Sequence, residues 1–445
     1  MTVASIIRAT GAALAAALML AGAALPAAAT TITRVVSPKG LEAWLVHEPS
    51  IPIISLEVAW RRAGGATDPA AKAGLANLVS GLLDEGAGSL DSQAFQGRIE
   101  ELALALSFHA GRDRFSGSLR TLSKNRDEAF RLFGLALTQP RFDAEPVERV
   151  RRQVLSQLNE EQEDPDAIAS RALYASAFPN HPYGRPVAGT LKTVAAIQRA
   201  DLVAFAGRRL ARDNIVIGVV GDITPAELGP LLDRTFGALP EKAAPAETAD
   251  VAPALRKAPI IITRDMPQSV VKFAGLGVKR ADADYYAAYV MNYVLGGGGL
   301  SSRLTEEVRE KRGLAYSVYA YLDPMEHAAL ESGGVATQNA RVAEALKLVR
   351  LEIGRMRDKG LTAEELANAK TYLNGSFPLQ LNSNAKIANI LVGIQLEHLG
   401  IDYLDRRAGL IDAVTLADIQ RVAQRLLDPD NLLVVVVGQP VGLGG

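Results

Sequence analysis

The sequence contains no cysteine. Disulfide frameworks, thiolate zinc sites and thiol nucleophiles are therefore excluded, and a zinc ion would have to be held by His, Asp or Glu. Histidine is scarce as well. There are five, His47, His109, His181, His327 and His398, and the nearest two, His47 and His109, stand 62 positions apart. No local histidine pair exists. Excess charge of either sign is missing too, with 48 Lys and Arg against 49 Asp and Glu. The chain has no basic tract, and aromatics make up only 5 % of it. It thus has neither the field nor the stacking platform of a nucleic-acid binder. After the first 29 residues no run is long and apolar enough to span a bilayer.

What is present is a globular composition, 48 % hydrophobic and 22 % charged, over 445 residues. That length predicts two or three domains with cores of their own. Residues 1–29 read as an export signal. Arg8 supplies the positive start, Gly11–Leu25 the apolar stretch, and Ala27–Ala29 a small-x-small cleavage site. The mature chain is expected to begin near Thr30 and to be exported, to the periplasm in a Gram-negative source, with no membrane attachment after cleavage. Lipidation is excluded, because it needs a cysteine.

Pro240–Pro259 is rich in Ala, Pro and charge, lacks an apolar period, and reads as a linker. The segments on either side, 30–239 and 260–441, resemble each other. One ends in "RRLARDNIVIGVVGD" and the other in "QRLLDPDNLLVVVVGQ". Both show a helix end, an Asp-Asn turn and a β-branched strand closed by Gly. Asn214 and Asn431 occupy the same place 217 positions apart. The starts match as well: strands "PIISLEVAWRRAGG" and "QSVVKFAGLGVKRA" precede helices "AGLANLVSGLL" and "YYAAYVMNYVL". The pattern predicts an α+β domain present twice, each a sheet packed with helices.

In "GLANLVSGLLDEG" the apolar residues Leu75, Leu78, Val79, Leu82 and Leu83 recur at helical spacing and predict one buried stripe. The opposite stripe is Asn77, Ser80, Gly81 and Asp84. Positions four apart lie one turn above each other, where two His would share a zinc. Here no such ligand is present. A serine nucleophile at Ser80 lacks a nearby His base. A cation site at Asp84 and Glu85 lacks a Gly-punctuated loop.

This stretch resembles the zinc helix of the insulinase/pitrilysin metallopeptidase family, which includes the mitochondrial processing peptidases. Gly74, Leu75, Ala76 and Gly86 match the frame around that family's H-x-x-E-H motif. The resemblance puts the first His on Asn77, the Glu on Ser80 and the second His on Gly81. It puts the third ligand, a Glu, on Gln157, 76 positions after Gly81, in "RQVLSQLNEEQEDP". All four positions are changed, and an amide is a poor zinc ligand beside a carboxylate. "HPYGRPVAGT" resembles a turn of the family, which makes His181 structural.

In the second half, Gly296–Gly299 precede a short helix, "SSRLTEEVREK", but no Gly-Lys-Ser/Thr follows to make a phosphate loop. "AYSVYAYL" then reads as a strand, with Ala315, Ser317 and Ala320 set against the larger residues. Taken alone, Arg309 is a surface cation among Glu306, Glu307 and Glu310, and Tyr316 a strand aromatic. The insulinase resemblance adds a role. "REKRGLAY", Arg309–Tyr316, is similar to the family's R-x-K-x-G-L-x-Y. In the family this Arg and Tyr contact substrate at a zinc centre in another domain, where they stabilise the oxyanion.

The resemblance therefore implies two insulinase-type domains forming half of a clamshell. It implies a chain inactive alone and without a cofactor of its own. The partner would be an insulinase-family subunit bearing H-x-x-E-H and its zinc, and the substrate a peptide. Arg309 and Tyr316 would act in trans. The alternative is a peptide-binding or scaffold protein of the same fold, with no role in catalysis.

Overall fold

The computed structural model describes residues 31–443. The export signal lies outside them. Eleven strands form two sheets among the described residues. In the first half they are β1 (Thr33–Val36), β2 (Glu42–His47), β3 (Ile53–Arg61), β4 (Ala105–Ala110), β5 (Arg114–Leu122) and β6 (Ile215–Gly221). In the second they are β7 (Ile260–Thr263), β8 (Gln268–Leu276), β9 (Ala315–Pro324), β10 (Ala329–Gln338) and β11 (Leu433–Gly438). The orders are β1-β2-β6-β3-β5-β4 and β7-β11-β8-β10-β9.

Apart from β1, the sheets are one topology drawn twice. β2–β6 and β7–β11 are the parallel pairs, and the other pairs within the repeat are antiparallel. The closing glycines Gly221 and Gly438 share φ 141°. A side chain at Gly221 would lie 2.1 Å from the Ile53 oxygen, and one at Gly438 would lie 2.4 Å from Ser269 Oγ. The repeat thus fixes both the strand and the residue that ends it.

One face of each sheet packs on the helices of its own half. Ile54, Leu56, Val58 and Trp60 of β3 alternate into the first core with Phe115, Phe133 and Phe236. Val271 and Phe273 of β8 join Val434 and Val436 of β11 in the second. The opposite faces hold the departure from two self-contained domains. The helix Pro165–Ala177, from the first half, lays Ala169, Leu173 and Ala177 on Leu433, Val435 and Val437 of the second sheet. The helix Asn384–Leu396, from the second half, lays Ala388, Leu391 and Ile394 on Trp44, Val46 and Val220 of the first. At Gly218 this helix comes so close that a Cβ would lie 2.7 Å from the Ala388 oxygen. Each half covers the other's sheet. The exchange explains why β6 and β11 read as unbroken apolar runs, since both of their faces are buried.

The segment 240–259 contains neither helix nor strand. Its main chain is pinned: Ala254 N–H donates to the Ala177 oxygen at 2.7 Å and Val251 N–H to the His327 oxygen at 2.9 Å. Asp250 bonds Lys279 at 2.6 Å and His327 at 3.0 Å. No helix among the described residues is long and apolar enough to cross a membrane.

Candidate functional site

The predicted zinc helix is shorter than its apolar period suggests. It runs Leu75–Ser80, from Gly74 in the left-handed region to Gly81. Leu82 and Leu83 belong to the following turn, yet both stay buried. The apolar period thus continued past the helix end because the turn also faces the core. The start of the helix is fixed by buried Asp68, whose carboxylate accepts N–H groups of Gly74 at 3.1 Å and Ala76 at 3.2 Å. Burial pushes the Asp68 carboxyl up to about 7 and the Asp84 carboxyl up to about 6.

The four changed positions do not converge on a ligand set. Asn77 is half-buried, and its main-chain oxygen accepts the Ser80 hydroxyl at 2.8 Å. Gly81 faces the helix Ala144–Glu160, where an added Cβ would meet Val150 Cγ1 at 3.1 Å. Gln157 lies two turns beyond Val150 on that helix, is exposed, and donates to Glu161 at 3.0 Å. One hydroxyl already committed, two amides and a glycine offer neither imidazole nor carboxylate, so these residues do not fit zinc. Among the described residues no three His, Asp or Glu side chains are grouped to hold a metal ion. His181 is a structural residue of its turn: Nδ1 accepts the Tyr183 N–H at 3.2 Å, and Nε2 lies 3.0 Å from the Ala249 oxygen.

Arg309 and Tyr316 are brought together. The guanidinium carbon lies 5.2 Å from the centre of the Tyr316 ring. Two local irregularities place them. Thr305–Glu310 is a π-helical turn rather than the ordinary short helix expected, and it is anchored by buried Val308. At the start of β9, Ala315 pairs with Thr337 and Ser317 with Ala336. Tyr316 has no residue opposite it. This bulge breaks the expected alternation. Ala315, Val318 and Ala320 go inward, while Tyr316 and Ser317 both face solvent. Tyr316 is 85 % exposed. The turn before it is held by Thr337 Oγ1 on the Leu314 oxygen at 2.5 Å and by Arg341 on the Gly313 oxygen at 3.1 Å.

The surrounding charges leave Arg309 largely free. Glu307 takes Lys311 at 2.7 Å and Arg312 at 2.6 Å, and both hold its carboxyl below the usual range. Glu306 takes Lys311 at 2.9 Å. Arg309 reaches only Glu310, through Nε at 3.3 Å, and among the described residues its terminal nitrogens donate no hydrogen bond. The sequence places three acids around Arg309 without showing that two are engaged elsewhere. The Glu307-to-Lys311 spacing was the available signal. No hydrogen bond or ion pair among the described residues joins Arg309 or Tyr316 to the altered helix.

Two family models cover this geometry in tandem: Insulinase (Peptidase family M16) over residues 53–191, and Peptidase M16 inactive domain over 196–373. A crystal structure described as a peptidase M16 inactive domain, from Pseudomonas fluorescens, superposes with a TM-score of 0.86 at 30 % identity, covering 93 % of this chain and 99 % of that one. The chain belongs to the insulinase family, M16. Among M16 relatives, the Helicobacter pylori protein named non-peptidase homolog YmxG is 29 % identical over 324 residues, 72 % of this chain and 74 % of that one. A Mycobacterium leprae protein named an uncharacterized zinc protease is 27 % identical over 406 residues, 89 % of each chain. The chain is an inactive M16 member.

Proposed function

We propose that this exported chain is the non-catalytic subunit of a two-chain M16 endopeptidase. Its partner would be an M16 chain that keeps H-x-x-E-H, and the hydrolytic centre, with its zinc, would be the partner's. The contribution of this chain is a pair of donors. When a peptide carbonyl is attacked, its oxygen gains negative charge. The Tyr316 O–H and the free N–H groups of Arg309 would meet that charge more strongly than they meet the neutral carbonyl. The ring keeps the guanidinium in place without consuming its terminal donors. β9, an edge strand paired only to β10 among the described residues, offers main-chain groups beside Tyr316 on which an extended peptide would add.

The observation that carries this reading is the unspent Arg309–Tyr316 pair on a chain whose metal positions are all replaced. The experiment is affinity purification of the chain from its native envelope extract. An equimolar H-x-x-E-H partner is the expected result; a lone homodimer overturns it. The name of the Helicobacter relative favours a second reading, a peptide-binding or scaffold subunit outside the chemistry. On that reading a partner is recovered, but the pair's turnover is indifferent to Tyr316.

A further inference from the structure

At one end of the first sheet two arginines line one cavity, and among the described residues neither is ion-paired, although the Glu326 and Glu397 carboxylates act on Arg61 from an adjoining cavity. Arg61 closes β3 and Arg212 sits in the turn before β6. Both face a cavity of about 470 Å³. Arg61 donates through Nη2 to the Gln395 oxygen at 2.5 Å, at the end of the exchanged helix. The Nε groups of Arg61 and Arg212 are buried without a hydrogen-bond partner. Among the described residues neither guanidinium is ion-paired. The carboxylate on the cavity wall, Glu42, is already engaged by Arg34 at 2.7 Å and by the Trp44 indole N–H at 3.2 Å.

The two cations are held in place from behind. The side-chain amide of Asn214 donates to the main-chain oxygens of Arg61 at 2.8 Å and Arg209 at 3.0 Å. Its Oδ1 accepts the Ala211 N–H at 3.2 Å. Strand end and turn are thereby locked together, with an arginine on each. The rest of the wall includes Trp44, Ile215, Val216 and Ile394. Arginine does not shed its proton in proteins, so the guanidinium groups that line the cavity offer their terminal N–H groups to an acceptor that enters it, while the buried Nε groups stay out of a ligand's reach. The fork of donors matches a carboxylate, and the apolar wall matches what such a carboxylate is attached to.

We propose that this cavity binds a carboxylate carried on an apolar body, the source being a peptide C-terminus or a small free acid. The site lies wholly within this chain and does not depend on a partner subunit. Isothermal titration of the purified chain with N-acetyl-leucine, with N-acetyl-leucine amide and with a pentapeptide ending in a free leucine tests it. The free acid should bind, and both its amide and the Arg212→Gln chain should bind or be bound at least about tenfold more weakly. Arg212→Lys, which keeps the charge without the fork, should fall between, and it serves if the Gln variant does not fold. Binding of acetyl-leucine and the pentapeptide assigns the peptide terminus; binding of acetyl-leucine alone assigns the small acid. Either result upholds the site. No binding of either acid at millimolar concentration, equal affinity for acid and amide, or affinity unchanged in both Arg212 variants overturns it.

Discussion

Arg309 rests on the ring of Tyr316 at 5.2 Å, while Tyr316 keeps 85 % of its surface in solvent. A cation over an exposed ring contributes only about 0.5–1 kcal/mol. Stability is therefore not what the pair supplies. Tyr316→Ala and Arg309→Gln should each change the unfolding free energy by no more than about 1 kcal/mol in urea titration. A loss several times larger would make the pair a structural element of the turn.

A side chain at the exposed Gly81 would be crowded on one side by the neighbouring helix. Gly81 faces Val150 Cγ1 at 3.1 Å from where a Cβ would sit. Gly81→His should cost about 1 kcal/mol, the low end of overpacking, since only Val150 crowds the exposed position. Val150→Ala placed with it should return part of that loss. Chemical denaturation of the single and double variants measures both. Equal stability of Gly81→His and the parent would show that the helices separate freely.

The exchanged helices predict that the two halves unfold together. Leu173, buried against the second sheet, belongs to a first-half helix, whereas both tryptophans, Trp44 and Trp60, sit in the first sheet. Leu173→Ala should cost about 2–5 kcal/mol. It should move the tryptophan fluorescence transition and the circular dichroism transition to the same lower denaturant midpoint. Two separated transitions would mean that each sheet is stable without its borrowed helix.

Glu331 is buried on β10, with one side-chain hydrogen bond, from Asn292 at 3.3 Å, and burial raises its carboxyl from 4.5 to about 7. The folded chain keeps this proton at pH values where the unfolded chain has lost it. The stability tied to the neutral carboxyl is full below about pH 4.5 and is lost as pH rises through about 7, a change of about 3 kcal/mol. Glu331→Gln should therefore be more stable than the parent at pH 8 and nearly equal to it at pH 4, by urea titration at both. An equal gap at the two pH values would contradict this.

Local chemistry made much of this legible from residues alone. The paired endings at Asn214 and Asn431 marked the repeat, whereas positions 77, 80, 81 and 157 were singled out only through the resemblance to the insulinase family. What sequence did not show is set by distant packing. Ala388, Leu391 and Ile394 form an ordinary apolar face, and nothing in their spacing says that it covers the first sheet rather than the second. The bulge that turns Tyr316 outward lies inside an alternating run whose period predicts the other face. The helix end at Ser80 was hidden because Leu82 and Leu83 stay buried after the helix stops.

The most direct test of the central proposal is the turnover of one peptide by the reconstituted pair, with this chain either unchanged or carrying Tyr316→Phe. The phenol O–H is removed and little else, since the ring remains to hold Arg309. An oxyanion donor predicts a fall in kcat of about a hundredfold, with the complex still formed. A kcat within about twofold of the parent would contradict the account and leave this chain a binding or scaffold subunit.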